Sequence, residues 1–164
     1  MDLSVEEMHS LRAAEGWAEL GDCSSALEEL DKVRTANRSH PLVLQVRSEV
    51  YFLSKRWDAL IDISNVRIQA SPNDDSGWIN CAYALHELNR TREALKILLP
   101  VADKFATNWC VPYNLACYTC QLGDRIAAIQ WLKRAVEVAG DRDVRVRALT
   151  DPDLEPMRVD ILEI

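Results

Sequence analysis

A period of 34 residues constrains this chain more than any other feature of its sequence. The dipeptide Gly21-Asp22 recurs as Gly123-Asp124, 102 residues later, which is three times 34. At this period one column holds only small residues: Ala14, Ser48, Ala82 and Ala116. Further aligned columns hold Trp17, Tyr51, Leu85 and Thr119; Ala26, Leu60, Ala94 and Ala128; Leu27, Ile61, Leu95 and Ile129; and Leu30, Ser64, Leu98 and Leu132. A fixed period of this length indicates a stack of repeated supersecondary units.

Each unit divides into two predicted helices, because apolar residues recur at spacings of three and four. Short turns, with the sequences GDCS, KRWD, NRTR and GDRI, separate the two helices of each unit. Pro41 and Pro72 fall in the connections between units, and Pro100 predicts a kink or an early end in the third unit's second helix. Small residues let two helix axes come close, and neighbouring pairs must stack to bury their apolar faces. The pattern therefore predicts an all-α solenoid of antiparallel helix pairs.

This pattern resembles the tetratricopeptide repeat family over residues 7–140, about four-fifths of the chain. The residues at the family's marked positions are Trp78, Ala82, Leu85 and Ala94 in the third unit, and Leu115, Ala116, Gly123, Ala128 and Ala135 in the fourth. The second unit matches less well, since Arg47, Ser48 and Ser64 stand where apolar or small residues are usual, and the first unit has Ala13 where a large apolar residue is usual. The resemblance implies a right-handed superhelix in a single domain, with repeats at approximately 7–40, 41–74, 75–108 and 109–141. It also implies binding of other proteins, although a fold alone does not specify a partner.

Residues 142–160 read as capping helices that close the solenoid. A short helix over about 142–149 is expected to end at Thr150-Asp151, where Asp151 can cap a second short helix that has Pro152 in its first turn. Leu154 and Met157 would then cover the open end of the stack. The stretch ALTDPDLEPMR is similar to closing segments of bacterial members of the family, so we expect a bacterial source.

Charge and cysteine content limit the class of partner and the compartment. The formal net charge of −7 argues against binding to a nucleic-acid backbone. The first residues, MDLSVEEMHS, lack the positive charge and apolar core of a signal peptide, and no apolar run is long enough for a membrane span. Five cysteines, an odd number, favour free thiols in a reducing cytosol. We therefore expect a cytoplasmic protein with no nucleic-acid or membrane partner.

The first helix of each unit is predicted to line the concave face of the solenoid, with an exposed stripe opposite the small column. The candidate groove residues are Leu11, Glu15, Leu42, Glu49, Phe52, Leu53, Ile79, Tyr83, His86, Tyr113, Cys117 and Cys120. An exposed apolar patch of this kind marks a binding site. It suits an amphipathic helix or extended peptide with apolar anchors and some basic residues. The alternative is that a terminal helix of the chain, or a second copy in a homo-oligomer, covers the same wall.

The cysteine-rich stretch WCVPYNLACYTC raises a metal or redox alternative. Cys117, Cys120 and His86 could converge on zinc. Cys110 precedes Cys117 by seven residues, which is about 10 Å along the helix axis at 1.5 Å per residue, too far for it to join them. Structural zinc prefers four protein ligands, and only three are in reach, so no metal is predicted. A working Cys-x-x-C motif uses a helix N-terminus to lower its thiol pKa, whereas Cys117 falls in mid-helix. A thiol- or metal-responsive protein stays an alternative function.

No catalytic set is visible among the three histidines, and the chain has no Gly-rich phosphate loop. The sequence therefore predicts a protein-interaction scaffold that is not an enzyme and has no cofactor. A second alternative rests on analogy in size and acidity, because small acidic members of the family act as chaperones for translocator proteins of type III secretion.

Overall fold

The computed structural model describes residues 2–140 and 143–164, except for the side chain of Asp143. These residues form ten α-helices and no strand. The helices are α1 (Val5–Glu19), α2 (Cys23–Asp31), α3 (Pro41–Leu53), α4 (Trp57–Ala70), α5 (Asp75–Glu87), α6 (Thr91–Leu98), α7 (Cys110–Gln121), α8 (Arg125–Ala139), α9 (Asp143–Thr150) and α10 (Arg158–Leu162). The predicted all-α class and the predicted helix pairs are confirmed, while the repeat boundaries stay a prediction.

Four turns share one backbone conformation at the 34-residue period. Positive φ angles occur at Gly21 (80°), Lys55 (54°), Asn89 (60°) and Gly123 (86°). In the first turn the N–H of Gly21 donates to the carbonyl of Ala18 at 2.9 Å, and that of Asp22 donates to Trp17 at 2.9 Å. The other three turns repeat both bonds at the matching positions. These paired bonds satisfy the last carbonyls of each first helix and reverse the chain into the second.

The chain divides into two compact halves, Met1–Asn80 and Cys81–Ile164, which we call unit 1 and unit 2. Each is larger than one 34-residue repeat, and from here on "unit" refers only to these two halves. In unit 1, α1 packs on α2 and α3, and α3 packs on α4. The core of its first half consists of Leu11, Ala14, Ala18, Ala26, Leu30, Val33, Val43, Val46 and Val50. Burying one leucine-sized side chain contributes about 2 kcal/mol, so these apolar columns supply the main stabilising free energy of the packed helices.

Glu7 is a buried charged residue in unit 1 that the repeat pattern does not predict. It completes a capping box with Ser4 at the start of α1. Its carboxylate also accepts hydrogen bonds from Arg34 and from the side-chain amide of Asn37, at 2.9–3.2 Å. The segment after α2 is thereby tied back to the start of α1.

In unit 2, α7 packs on α6 and α8, and α9 packs on α8. α6 ends at Leu98, and a 3₁₀ turn over Leu99–Val101 follows, so the predicted early end at Pro100 is confirmed. Asp151 caps a 3₁₀ turn, Pro152–Met157, by accepting the N–H of Asp153 at 3.0 Å. This 3₁₀ turn packs on α7, and its buried residues are Leu154 and Met157, as predicted. The predicted start of the cap at residue 142 and the predicted end of the fourth repeat at residue 141 lie outside the described residues.

Candidate functional site

Each of the two units contains a concave site. The larger has a volume of about 570 Å³ and is open to solvent along one side; we call it the unit-1 groove. Its lining residues are Gln45, Ser48, Glu49, Phe52, Leu53, Arg67, Asp74, Ser76 and Asn80. Helix α3 supplies one wall, because Gln45, Glu49 and Phe52 follow helical spacing on one face.

The opposite wall of the unit-1 groove is a hydrogen-bonded polar cluster. Arg67 on α4 donates to Asp74 at 2.9 Å and also to the hydroxyl of Ser76. The Ser76 hydroxyl in turn donates to Asp74 at 2.7 Å, and the Ser76 N–H donates to the same carboxylate. Burial works against ionisation of Asp74, but the bonds from Ser76 and Arg67 outweigh it and lower the pKa of this carboxyl. The cluster is therefore a fixed ion pair at the side of the groove.

The rim of the unit-1 groove carries exposed apolar side chains from the predicted stripe. Phe52 is 37% exposed and Leu53 is 48% exposed, and Leu42 at the start of α3, which is not among the lining residues, is also exposed. The Phe52 ring packs edge-on against Trp57 with centroids 5.9 Å apart, which holds it at the rim. Glu49 and Glu15 are exposed and Ile79 is half-buried, whereas Leu11 is 3% exposed. The predicted exposure of Leu11 was wrong, because α1 packs on α3 as well as on α2 and buries this position.

The second site lies in unit 2, where the sequence predicts the other half of the exposed stripe. Tyr113, Cys117 and Cys120 are buried there, and Tyr83 and His86 are half-buried. The predicted exposure of the three α7 residues was wrong, because the capping 3₁₀ turn packs on that face of α7. In unit 2 the alternative of a terminal segment covering the wall therefore holds. A cavity of about 270 Å³, which we call the unit-2 cavity, remains beside this contact and is lined by residues of α5, α7, α9 and the 3₁₀ turn.

Hydrogen bonds from α5 and α7 to the cap define one side of the unit-2 cavity. The Tyr113 hydroxyl donates to Asp151 at 2.7 Å, and Gln121 donates to the backbone carbonyl of Asp153 at 2.9 Å. Nε2 of His86 lies 2.9 Å from the Asp153 carboxylate, and Nδ1 lies 2.9 Å from the Thr91 hydroxyl. Since a carboxylate only accepts, Nε2 carries the proton in this arrangement.

Burial and the nearby carboxylates raise the pKa values of the Tyr83 hydroxyl and the Cys117 thiol in the unit-2 cavity. Burial, a hydrogen bond to Glu87 and the carboxylates of the cap raise the pKa of Tyr83 to about 12. Burial and the nearby Asp151 and Asp153 raise the pKa of the Cys117 thiol strongly. A raised pKa lowers the thiolate fraction of Cys117, which argues against a reactive Cys-x-x-C pair.

The ligand set of the zinc alternative, Cys117, Cys120 and His86, does not come together among the described residues of unit 2. Among the described residues, one group of potential ligands places its atoms within 4.8 Å of one another, and it comprises Cys117, Asp151 and Asp153. His86 and Cys120, which the sequence pairs with Cys117, are not in that group, and His86 instead bonds to Asp153. Sequence reasoning did not assign the two aspartates to a site, because the capping role of Asp151 and the first-turn position of Asp153 account for the pattern Asp-Pro-Asp.

Comparisons with known proteins identify the fold. No family model matches the chain, and no curated protein matches its sequence. Among solved structures, a crystal structure of MamA covers 96% of this chain and 87% of its own at 12% identity, with a TM-score of 0.75. A double mutant, MamA RS-1 ArsTM, covers 84% and 78% at 15% identity, with a TM-score of 0.74.

A third solved structure carries the repeat name. TTC0263, described as a thermophilic TPR protein of Thermus thermophilus, covers 96% of this chain and 100% of its own at 16% identity, with a TM-score of 0.71. No helix in the described residues has the length and apolar character needed to cross a membrane. The chain has the tetratricopeptide-like fold that its sequence pattern predicts.

Proposed function

We propose that this chain is a protein-interaction scaffold that holds a peptide or partner helix in the unit-1 groove by apolar anchors. The observation that carries the proposal is the side-by-side placement of an exposed apolar rim, Phe52 and Leu53, and a fixed ion pair, Arg67–Asp74. Interfaces combine an apolar anchor with polar groups that fix orientation, and this groove offers both.

The proposed contacts from the predicted stripe are Leu42, Glu49, Phe52 and Leu53. The carboxylate of Glu49 lines the groove beside Phe52, so a basic residue next to an apolar anchor in the partner would be complemented. A partner helix would present such residues at three- and four-residue spacing. The remaining exposed stripe residue of α1, Glu15, would contribute at most a contact outside the groove.

The proposal is one of binding without catalysis, in the cytoplasm. The sequence has five cysteines, an odd number, which favours thiols over a disulfide framework and suits a reducing compartment. The partner is a protein or peptide, because the net charge of −7 repels nucleic-acid phosphates. A second copy of this chain is one such partner, and the experiment below includes it.

Site-specific photo-crosslinking in cells tests the groove. A benzoylphenylalanine residue replaces Phe52 in one variant and Val66 in the control variant. Val66 is a matched position, because it is an exposed apolar residue of the same unit that does not line the groove. A defined crosslinked protein, or a self-crosslink, from position 52 alone is expected.

The crosslinked partner is then purified, and its affinity is measured with Leu53→Asp and with Val66→Asp. We expect the first substitution to weaken binding about thirty-fold or more, since hot-spot truncations cost at least 2 kcal/mol. The second should leave binding unchanged. Equal crosslinking from both positions, or equal affinity of the two variants, would refute the groove as the binding site.

A further inference from the structure

The unit-2 cavity combines aromatic walls with an excess of carboxylates. Its walls include Tyr83, Tyr113 and Tyr118, and its carboxylates are Glu87, Asp151 and Asp153. Among the described lining residues, Arg147 is the one side chain with a permanent positive charge. Three carboxylates thus face one guanidinium inside a partly enclosed space, where charges interact more strongly than in water.

The raised pKa values of neighbouring groups agree with a negative electrostatic potential in the cavity. Tyr83, Tyr113 and Cys117 all have raised pKa values, for which burial is the largest cause and the carboxylates a further one. Arg147 opposes this effect at Tyr113 and Cys117 without cancelling it. A second cation in the cavity would therefore find a favourable potential.

The aromatic wall already receives a cation from the protein itself. The guanidinium of Arg147 lies 5.4 Å from the ring centroid of Tyr113 and 5.9 Å from that of Trp109. These distances are within the range in which a ring face attracts a cation. Arg147 is exposed, so its side chain can swing away from the Tyr113 face when a competing cation arrives.

One polar group of the cavity wall has no partner. The hydroxyl of Tyr118 is buried and makes no hydrogen bond within the described residues, and Tyr118 as a whole is 1% exposed. A buried hydroxyl without a partner costs free energy that a bound polar group can recover. A hydroxyl both donates and accepts, so this observation, which is independent of the carboxylates, points to a ligand with a polar group.

We propose that the unit-2 cavity binds an organic cation, the ammonium or guanidinium group of a lysine or arginine side chain from another polypeptide. The carboxylates of Glu87 and Asp153 would take the charge, and the tyrosine rings would pack against the alkyl stem and the cationic group. The site is distinct from the unit-1 groove and stands whether or not that groove binds a partner.

A metal ion fits this cavity less well than a side chain does. Cys117, Asp151 and Asp153 lie close enough to share an ion, but Asp151 already accepts from Tyr113 and from the Asp153 N–H. The volume of about 270 Å³ is several times the roughly 30 Å³ of one liquid water molecule, so it exceeds what an ion needs.

Titration of the full chain, labelled with ¹⁵N, by short capped peptides tests the proposal. The probes are acetyl-Gly-Gly-Lys-Gly-Gly-amide, its arginine analogue and its norleucine analogue, and zinc chloride is titrated separately. We expect the lysine or arginine peptide to shift the amide signals of α7 and of residues 151–154, and the norleucine peptide to leave them in place. Equal shifts with norleucine, no shift with either basic peptide, or stoichiometric zinc binding without a peptide response would each overturn the proposal.

Four variants sharpen the test. Glu87→Gln, which removes an exposed carboxylate of the cavity, should weaken peptide binding about five-fold, whereas Glu155→Gln, which removes an exposed carboxylate of the cap outside the cavity, should not. Tyr118→Phe should also weaken peptide binding, because it removes the hydroxyl that the ligand would pair with. Arg147→Gln should strengthen binding, because it removes the competing internal cation, and a purely structural role for Arg147 would not give this gain. Unchanged affinity in both Glu87→Gln and Arg147→Gln would contradict the proposed site.

Discussion

The hydroxyl of Tyr113 donates a 2.7 Å hydrogen bond to the carboxylate of Asp151, 38 residues further along the chain. Asp151 uses its other oxygen to cap the 3₁₀ turn Pro152–Met157. One carboxylate thus fixes both the local conformation of the cap and its position on α7. This double role explains why a residue that sequence reasoning assigns to helix capping also closes the face of α7.

Tyr113→Phe should destabilise unit 2, because it removes a hydrogen bond to an ionised, partly buried acceptor. Bonds of this kind contribute about 1.5–3 kcal/mol to the free energy of unfolding. Urea denaturation should show a loss of this size, and hydrogen exchange should show faster opening of residues 151–157. The matched control is Tyr118→Phe on the same helix. Because the Tyr118 hydroxyl has no hydrogen-bond partner among the described residues, this substitution should leave the free energy of unfolding unchanged or raise it slightly. Equal effects of the two substitutions would contradict the role given to Tyr113.

The five thiols should differ sharply in their rates of alkylation in the native state. Cys23 and Cys110 are half-buried, whereas Cys81, Cys117 and Cys120 are buried. Burial also raises the pKa of Cys81 to about 11 and that of Cys117 further, so little thiolate is present at pH 8. Iodoacetamide labelling followed by peptide mass spectrometry should modify Cys23 and Cys110 first.

Labelling of the three buried thiols should follow only in denaturant, with all five reacting at similar rates once unfolded. Rapid native labelling of Cys117 would show that the cap opens readily, and would restore the reactive-thiol alternative.

The helices, their turns and the cap could be predicted from the sequence because the signals are local and repeat. The small column and the two glycine turns recur at one period, and Pro100 and Asp151 act on their own immediate backbone. The exposure of α7 could not be predicted in the same way. Helical spacing shows that Tyr113 and Cys117 share a face, but it does not show that the chain returns, more than 30 residues later, to cover that face.

Only the α3 wall of the unit-1 groove could be predicted from the sequence, for a related reason. Phe52 and Leu53 lie on the predicted stripe of α3 and are exposed. Arg67 and Asp74 lie on a second helix and in a connection, outside the stripe, and their pairing is a tertiary contact. Leu11 follows the stripe pattern but contacts the core, since a helix that packs on two neighbours buries a wider face than one that packs on a single partner.

Lys55→Gly should stabilise unit 1. Lys55 has a φ of 54°, in the left-handed region where a side chain costs about 1–2 kcal/mol, and the equivalent turns at Gly21 and Gly123 use glycine. The greater entropy of glycine in the unfolded chain offsets about 0.4–1 kcal/mol of the gain, so we expect a net increase of about 0.5–1 kcal/mol in the free energy of unfolding. Urea denaturation measures it.

The reciprocal variant, Gly123→Ala, places a Cβ in open space at a φ of 86° and so isolates the backbone effect. It should lower the stability by a similar amount. Stabilisation by Gly123→Ala, or destabilisation by Lys55→Gly, would show that the turns do not need the left-handed conformation.

Glu7 should make the stability of unit 1 depend on acidic pH. Hydrogen bonds from Arg34, the Ser4 N–H and Asn37 hold the pKa of this carboxyl far below its usual range, despite the opposing effect of burial. A carboxyl whose folded pKa is depressed stabilises the fold fully above its unfolded pKa, near 4.3, and loses that contribution as the pH falls towards the folded value. Glu7→Gln should therefore lower Tm clearly at pH 7, and the difference from the wild type should shrink steadily below about pH 4.

The control is Glu6→Gln in the same helical turn, an exposed residue whose substitution should leave Tm nearly unchanged at pH 7 and at pH 3. A Glu7→Gln difference that is constant from pH 7 to pH 3 would mean that the charge of Glu7 does not stabilise the fold, and that its contribution comes from packing alone.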